Sequence, residues 1–308
     1  DFPTVVYPNP EEAEALTLAL QKAKEIDADL VLANDPDADR VGIAIKDLQG
    51  NFILLNGNQT GSLLMYYLLN LWKNKKGFQG NEYIVKTIVT SNLIDEIAHS
   101  FGVKCYNTYT GFKYIATVMR EQERKGNYIA GCEESYGYLI GDFVRDKDGV
   151  SACALITEMT AYAKKQYGSL YQMLLELYRK FGYYEDTLIS ITKKGMSGMA
   201  EISNIMQNLR ENPPETLAGE KVVIRKDYQN LQETNLLTGS TSKLDFDEKS
   251  NVLQFITEAG SKISARPSGT EPKIKFYVSL KAPFQEDLAN LSLNLAVKTE
   301  NIKKDLGL

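Results

Sequence analysis

Asp35, Asp37 and Asp39 stand at alternate positions of Asn34-Asp35-Pro36-Asp37-Ala38-Asp39-Arg40, directly after the apolar run Asp29-Leu30-Val31-Leu32-Ala33. Three like charges this close repel unless a cation neutralises them. Hard oxygen ligands suit Mg²⁺ or Ca²⁺. An EF-hand is excluded, because its sixth loop position is Arg40 where Gly is required and its twelfth is Lys46 where Glu is required. An arginine beside a metal loop suggests a second anion, such as phosphate, at the same place. The string also reads as a solvated acidic turn.

A second loop, Arg266-Pro267-Ser268-Gly269-Thr270-Glu271-Pro272-Lys273, offers a planar guanidinium fork, two hydroxyls and a glycine that admits an anion to backbone N–H groups. It reads equally as a phosphate cradle or as a Pro/Gly turn. In a third, Gly131-Cys132-Glu133-Glu134-Ser135-Tyr136-Gly137, two acids and a serine follow an apolar strand. Carboxylates accept hydrogen bonds from vicinal sugar hydroxyls. Spacing alone favours a helix start with well-placed acids. Arg145-Asp146-Lys147-Asp148-Gly149 and Thr110-Gly111-Phe112-Lys113 add cations nearby. The single histidine, His99, has no nucleophile and acid arranged around it, and no GxxxxGK[ST] string occurs.

The elements that carry these loops follow from periodicity. Asn9-Pro10-Glu11-Glu12 reads as a helix start with Asn9 as cap. Strands are expected at 29–33, 41–45 and 52–55, part of an α/β layer. From about Asn58 the pattern alternates: helix 60–72, strand 82–89, helix 93–101, strand 103–106, helix 112–123, strand 128–132, then two helices between 150 and 180. Such alternation implies right-handed crossovers and a mainly parallel sheet flanked by helices. Ligands bind beyond the carboxyl ends of its strands, where Ser91-Asn92, Tyr109–Gly111 and Glu133–Gly137 fall. After about Tyr183 the punctuation changes, with Gly195, Gly198, Pro213, Pro214 and Gly219. Strands at 222–225, 252–257, 262–265 and 274–280, framed by a helix before Pro213 and one from about Gln285, suggest a smaller α+β domain.

The net charge of −5 disfavours nucleic acid or an anionic membrane as partner. At 43% hydrophobic and 24% charged residues, disordered, collagen-like and disulfide-scaffold chains are excluded. Three widely spaced cysteines with no CxxC fit a reducing compartment, so a cytoplasmic protein is expected. The longest apolar run, near Leu63–Trp72, is too short to span a bilayer. The chain opens Asp-Phe-Pro-Thr, with neither a signal-peptide pattern nor Met, so a piece of a longer protein is expected.

In this order the loops resemble the α-D-phosphohexomutase superfamily of phosphoglucomutase/phosphomannomutase enzymes. DPDADR is similar to its metal loop, TGFK with GCEESYG to its sugar-recognition region, and RPSGTEPK to its phosphate loop. EESYG and RDKDG look closer to bacterial α-phosphoglucomutases than to the phosphomannomutase type, whose sugar loop carries a His where Tyr138 stands here. The resemblance implies the C-terminal part of the second family domain over 1–56, the third over 57–183 and the fourth over 184–308. It implies Mg²⁺ on Asp35, Asp37 and Asp39, with Arg40 adding charge at the transferring group. It further implies Lys147 as the general acid/base, and Lys113, Glu133, Ser135, Arg266, Ser268, Gly269 and Thr270 on a hexose phosphate. A lysine base would need a depressed pKa. The implied reaction moves phosphate between O1 and O6 of glucose through a phosphoserine and a bisphosphate. The family's Ser-His-Asn-Pro-like seryl loop has no counterpart here, so the chain alone is expected to be inactive without the N-terminal domains of its polypeptide. A phosphomannomutase, a phosphopentomutase or a non-catalytic, metal-dependent sugar-phosphate binding module are the alternatives.

Overall fold

The computed structural model describes residues 2–193, 197–269 and 271–308. Backbone contacts divide the chain into two compact units, Asp1–Phe181 and Gly182–Leu308.

The first unit opens with a 3₁₀ turn, Ala13–Leu16, and helix α1, Thr17–Glu25. Asn9 does not cap a helix. Its Oδ1 accepts the Glu11 N–H at 3.2 Å and Arg40 Nη1 at 3.2 Å, so the oxygen is taken up in a local turn and a distant contact, and the helix begins later. Strands β1 (Leu30–Asn34), β2 (Val41–Lys46) and β3 (Phe52–Leu55) form an antiparallel meander. Leu16, Ala23, Val31 and Ala44 cluster between it and α1. Helix α2 (Gly57–Lys75) starts on a capping box: Asn56 Oδ1 accepts the Gln59 N–H at 2.8 Å, and Gln59 Oε1 accepts the Asn56 N–H at 3.0 Å.

Strand β4 (Glu82–Thr87), helix α3 (Leu93–Ser100), strand β5 (Lys104–Thr108), helix α4 (Phe112–Glu121) and strand β6 (Asn127–Cys132) follow in alternation. β4 is central, parallel to both β5 and β6, and buried at every position, as expected for a strand covered on both faces. Tyr83, Val85, Phe112, Ile115, Met119, Tyr128 and Leu139 form the core on the α4 side. On the other side, α2 approaches closely enough at Gly61 for an added Cβ to meet Cys132 Sγ at 3.4 Å and Ile94 Cδ1 at 3.6 Å. Strand β7 (Tyr138–Ile140) turns back antiparallel on β6. Helices α5 (Gly149–Tyr167) and α6 (Leu170–Phe181) complete the unit. Asp148 caps α5, accepting the N–H groups of Val150 at 3.1 Å and Ser151 at 3.2 Å. Because β4, β5 and β6 run parallel, the segments that follow them emerge on one edge.

The second unit is built on strand β8 (Tyr183–Thr192), helix α7 (Gly198–Glu211) and strands β9 (Thr216–Leu217), β10 (Glu220–Asp227), β11 (Gln232–Asn235) and β12 (Thr241–Lys243). Strands β13 (Leu253–Thr257), β14 (Lys262–Pro267) and β15 (Lys273–Ala282) and helix α8 (Leu288–Asp305) follow. The sheet runs β12-β11-β10-β13-β14-β15-β8 with antiparallel neighbours, and β9 pairs with β10. Helix α7 packs on β13–β15. Among the described residues, no helix is long and apolar enough to cross a membrane.

Candidate functional site

β1 ends and β2 begins with the facing pair Asn34 and Val41, so residues 35–40 are a hairpin loop. Asp35 holds it together. Its Oδ1 accepts the backbone N–H groups of Asp39 and Arg40, both at 3.1 Å, and its Oδ2 takes Arg40 Nε at 2.8 Å. Burial by itself pushes the Asp35 carboxyl up. The Arg40 side chain and the two N–H groups overcome it, and the carboxyl lies below its ordinary value. Arg40 Nη1 continues to Asn9 and, at 3.4 Å, to Glu11 Oε1. Ala38 adopts φ +56°, the left-handed turn that brings Asp39 round.

Asp39 Oδ2 lies 3.0 Å from Lys147 Nζ, and Asp37 is exposed. The donor set is the hard-oxygen kind that Mg²⁺ takes, yet its members are not arranged as a coordination sphere. Two carboxylates are paired with cations of the chain, and no group of three His, Cys, Asp or Glu among the described residues is placed to hold a metal ion. As arranged, the residues do not fit the metal.

The glutamate loop follows β6. Glu133 donates its N–H to Gly137 O at 2.9 Å, and its Oε1 accepts the Gly111 N–H at 2.8 Å. Gly111, at φ +119°, ends the β5 loop and begins α4 in a conformation closed to L side chains. Glu133 is 8% exposed. Burial, reinforced by the Glu134 charge, pushes its carboxyl up against the pull of the Gly111 N–H and Lys147. Ser135 is half-buried beside it. Tyr136 adopts φ +65°.

The two loops and the Arg145–Gly149 segment are laced into one cluster. Arg40 and Gly137 form an isolated bridge, and Val41 donates to Tyr136 O at 3.0 Å. Asp148 donates to Tyr138 O, and Gly149 to Ala38 O, each at 3.0 Å. A Cβ on Gly137 would strike the Lys147 side chain, and one on Gly149 would strike Asn34 and Ala38. Asp35, Asp39, Arg40, Glu133 and Lys147 therefore gather from three separated stretches. Burial, the largest influence, would lower the Lys147 pKa, but the hydrogen bond and charge of Asp39, with the charges of Glu133 and Asp146, together outweigh burial and raise it. The depressed pKa that a lysine base needs is the opposite of this, and the side chain is held in its charged form. Lys113 Nζ lies 4.7 Å from the Tyr114 ring centre, and the residue lines a groove with Arg120, Arg145 and Asp146.

In the second unit, the Arg266 loop joins β14 to β15. Arg266 faces Lys275 and Pro267 faces Ile274 across the ladder. Ser268 donates its N–H to Lys273 O at 2.7 Å, and its Oγ accepts the Glu271 N–H at 3.2 Å. Gly269 has open space where a side chain would be. Thr270 lies outside the described residues. The sequence offered Asn9 only as a helix cap, whereas it carries part of the Arg40 contact, and it gave no role to Thr87 and Thr90, which anchor Glu134. Their types are ordinary, and only proximity gives them a role.

Residues 56–181 match the family profile described as phosphoglucomutase/phosphomannomutase, alpha/beta/alpha domain III, and residues 1–50 match domain II of the same series. The chain is 39% identical over 289 residues to phosphoglucomutases of Staphylococcus aureus strains N315 and Mu50, covering 94% of this chain and 51% of theirs. It thus spans about half the length of the curated relatives it matches. Among solved structures it is similar in fold to parafusin, a phosphoglucomutase from Paramecium in its open form, with TM-score 0.65, 21% identity and coverage of 98% of this chain and 51% of that one. A phosphoglucomutase/phosphomannomutase family protein from Burkholderia thailandensis gives TM-score 0.61 at 17% identity, covering 99% and 52%.

Proposed function

The chain belongs to the α-D-phosphohexomutase superfamily, and from that premise we propose that it serves as the sugar-recognition and phosphate-anchoring half of a phosphoglucomutase. Within the complete polypeptide the reaction interconverts α-D-glucose 1-phosphate and glucose 6-phosphate through a phosphoserine and a bisphosphate. Phosphoryl transfer asks a protein mainly for positioning and charge neutralisation. Glu133 and Ser135 hold ring hydroxyls, the carboxylate as acceptor and the hydroxyl in either sense. Arg40 carries a fixed positive charge toward the transferring group; Asp35 holds its Nε and Asn9 its Nη1, so its direction is set before substrate arrives. Lys147, held charged beside Asp39, is the general acid/base: it gives a proton to the oxygen from which the phosphoryl departs and takes back the one that the attacking hydroxyl releases. Arg266, Ser268, Gly269 and Thr270 hold the phosphate that is not transferred.

The observation that carries this reading is the lacing of the aspartate, glutamate and Arg145–Gly149 loops around the Arg40–Gly137 bridge. It collects one acceptor, one fixed cation and one proton donor in a single cluster. A coupled assay that follows glucose 6-phosphate tests it. The chain alone is expected to show no turnover, and turnover is expected once the N-terminal half of a full-length relative is added. Turnover by the chain alone refutes the assignment of the missing half. Binding of glucose 1-phosphate that never yields turnover in any reconstitution marks a sugar-phosphate binding module instead. Relative rates on glucose, mannose and pentose phosphates by the complete polypeptide assign the sugar.

A further inference from the structure

Lys86, on β4, is 1% exposed, and its ammonium is fully engaged. Nζ lies 2.9 Å from Asp95 Oδ2 on α3 and donates to the carbonyls of Thr87 at 3.4 Å and Thr90 at 3.3 Å. Those carbonyls belong to the turn that leaves β4, where Thr90 N–H also meets Thr87 O at 3.2 Å. Thr87 Oγ1 accepts the N–H groups of Val89 at 3.3 Å and Thr90 at 3.2 Å. A buried cation below and backbone donors at its flank thus fix the turn with both threonine hydroxyls close together. Both hydroxyls reach one atom, Glu134 Oε2, at 2.9 Å from Thr87 and 3.1 Å from Thr90. Each hydroxyl has a single proton, so giving both to the carboxylate makes the 2.9 Å spacing between the two Oγ1 atoms a proximity, not a further bond. The second oxygen, Glu134 Oε1, is buried without a hydrogen-bond partner among the described residues. Its desolvation is a cost that the two hydroxyl contacts must offset. The backbone at this point is pressed against the start of α2: a Cβ on Gly57 would strike Glu134 O and come within 2.8 Å of Tyr136 N.

We infer that Glu134 is the positioning residue of the sugar loop, clamped by Thr87 and Thr90 on a turn that the Lys86–Asp95 pair holds in shape, so that Glu133 and Ser135 on either side are presented to a hexose phosphate. This rests on the proposed function for the ligand and on geometry for the clamp. Glu134 itself touches no substrate. Its effect runs through the shape of the loop, read at three amides: Gly111, held by the Glu133 carboxylate, Glu133, held by Gly137 O, and Val41, held by Tyr136 O.

The 308-residue chain tests this by amide hydrogen exchange together with calorimetric titration of α-D-glucose 1-phosphate. Glu134→Ala is expected to accelerate exchange at Glu133, Gly111 and Val41 at least tenfold, with affinity falling at least tenfold. The double substitution Thr87→Val with Thr90→Val, which leaves Glu134 in place, reproduces both effects. Glu134→Gln keeps an acceptor for the hydroxyls and stays within about threefold of the parent. Exchange within twofold of the parent in both Glu134→Ala and the threonine double variant overturns the inference. So does acceleration by the same factor at the ladder amides of Ile84 and Ala130, which marks a general loosening. If the unaltered chain binds no glucose 1-phosphate, the functional reading falls, and the exchange pattern still decides the clamp.

Discussion

Two neighbouring loops of the first unit hold buried carboxylates and treat them in opposite ways. Asp35 is surrounded by donors: two backbone N–H groups and the Arg40 guanidinium keep it ionised in spite of burial. Glu133 has one backbone donor and a like-charged neighbour, and burial pushes its carboxyl up. The loops are joined at Arg40–Gly137, so the contrast arises across a single bridge. Carboxyl groups whose surroundings drive their protonation apart divide the work of a site. Asp35 serves as a rigid structural anion that aims Arg40. Glu133 is held at a cost, which the sugar hydroxyl of the proposed function would offset in part.

The contrast breaks most visibly at Asp35. Asp35→Asn removes the charge opposite Arg40 and is expected to destabilise the first unit by about 2–4 kcal/mol. Urea unfolding followed by the single tryptophan, Trp72 in α2, measures it. A loss below about 0.5 kcal/mol means that the loop does not depend on this anion. The sign with pH follows from the lowered carboxyl. Its contribution is present above the ordinary value of 3.8 and disappears as pH falls through the depressed one, so the deficit of Asp35→Asn should close in acid.

Glu133→Gln has the opposite sign. A raised carboxyl makes the fold less stable as pH rises, so the variant should match the parent below the ordinary value of 4.5 and become the more stable of the two as pH climbs through the raised value. Its affinity for α-D-glucose 1-phosphate should nevertheless fall at least tenfold, about 1.4 kcal/mol. A stability gain without loss of affinity would separate Glu133 from the ligand.

Glu82 sharpens the comparison, because its buried carboxylate is held chiefly by backbone N–H groups, from Gln79 at 3.0 Å and Gly80 at 3.1 Å, and it too is lowered against burial. Glu82→Gln should cost about 1–2 kcal/mol near neutral pH, less than Asp35→Asn, with the deficit fading below 4.5. An equal cost for the two would show that the guanidinium adds nothing to the N–H groups. The smallest effect belongs to the metal. Lys147 occupies Asp39, so Mg²⁺ titrated into the chain should bind no tighter than micromolar, and Lys147→Met should improve the affinity about threefold. Submicromolar binding by the unaltered chain would mean that the aspartates rearrange readily.

Much of the scaffold was legible in advance, and the omissions have causes. The alternation from α2 to β6 was readable because long amphipathic helices and short apolar strands differ in period. Strand β7 has only three residues and exists through its pairing with β6. Strand β8 has a half-polar pattern that becomes a strand by pairing along its whole length with β15. The meander β1–β3 belongs to an antiparallel sheet of its own, a connectivity that three short apolar runs do not specify. The helix expected from Asn9 starts later because Arg40, remote in sequence, takes the Asn9 oxygen.

The amino-acid sequence by itself determined which loops concentrate carboxylates, guanidinium and glycine and in what order, since close spacing of such residues is a local fact. It also determined the strand ends on which two of those loops sit. Only the tertiary structure decided which carboxylate is kept ionised, which is pushed toward its neutral form, and which lysine stays charged. Those outcomes depend on burial and on partners brought in from distant parts of the chain: Lys147 against Asp39, Asn9 against Arg40, and the threonines after β4 against Glu134. Local spacing carries no record of such distances.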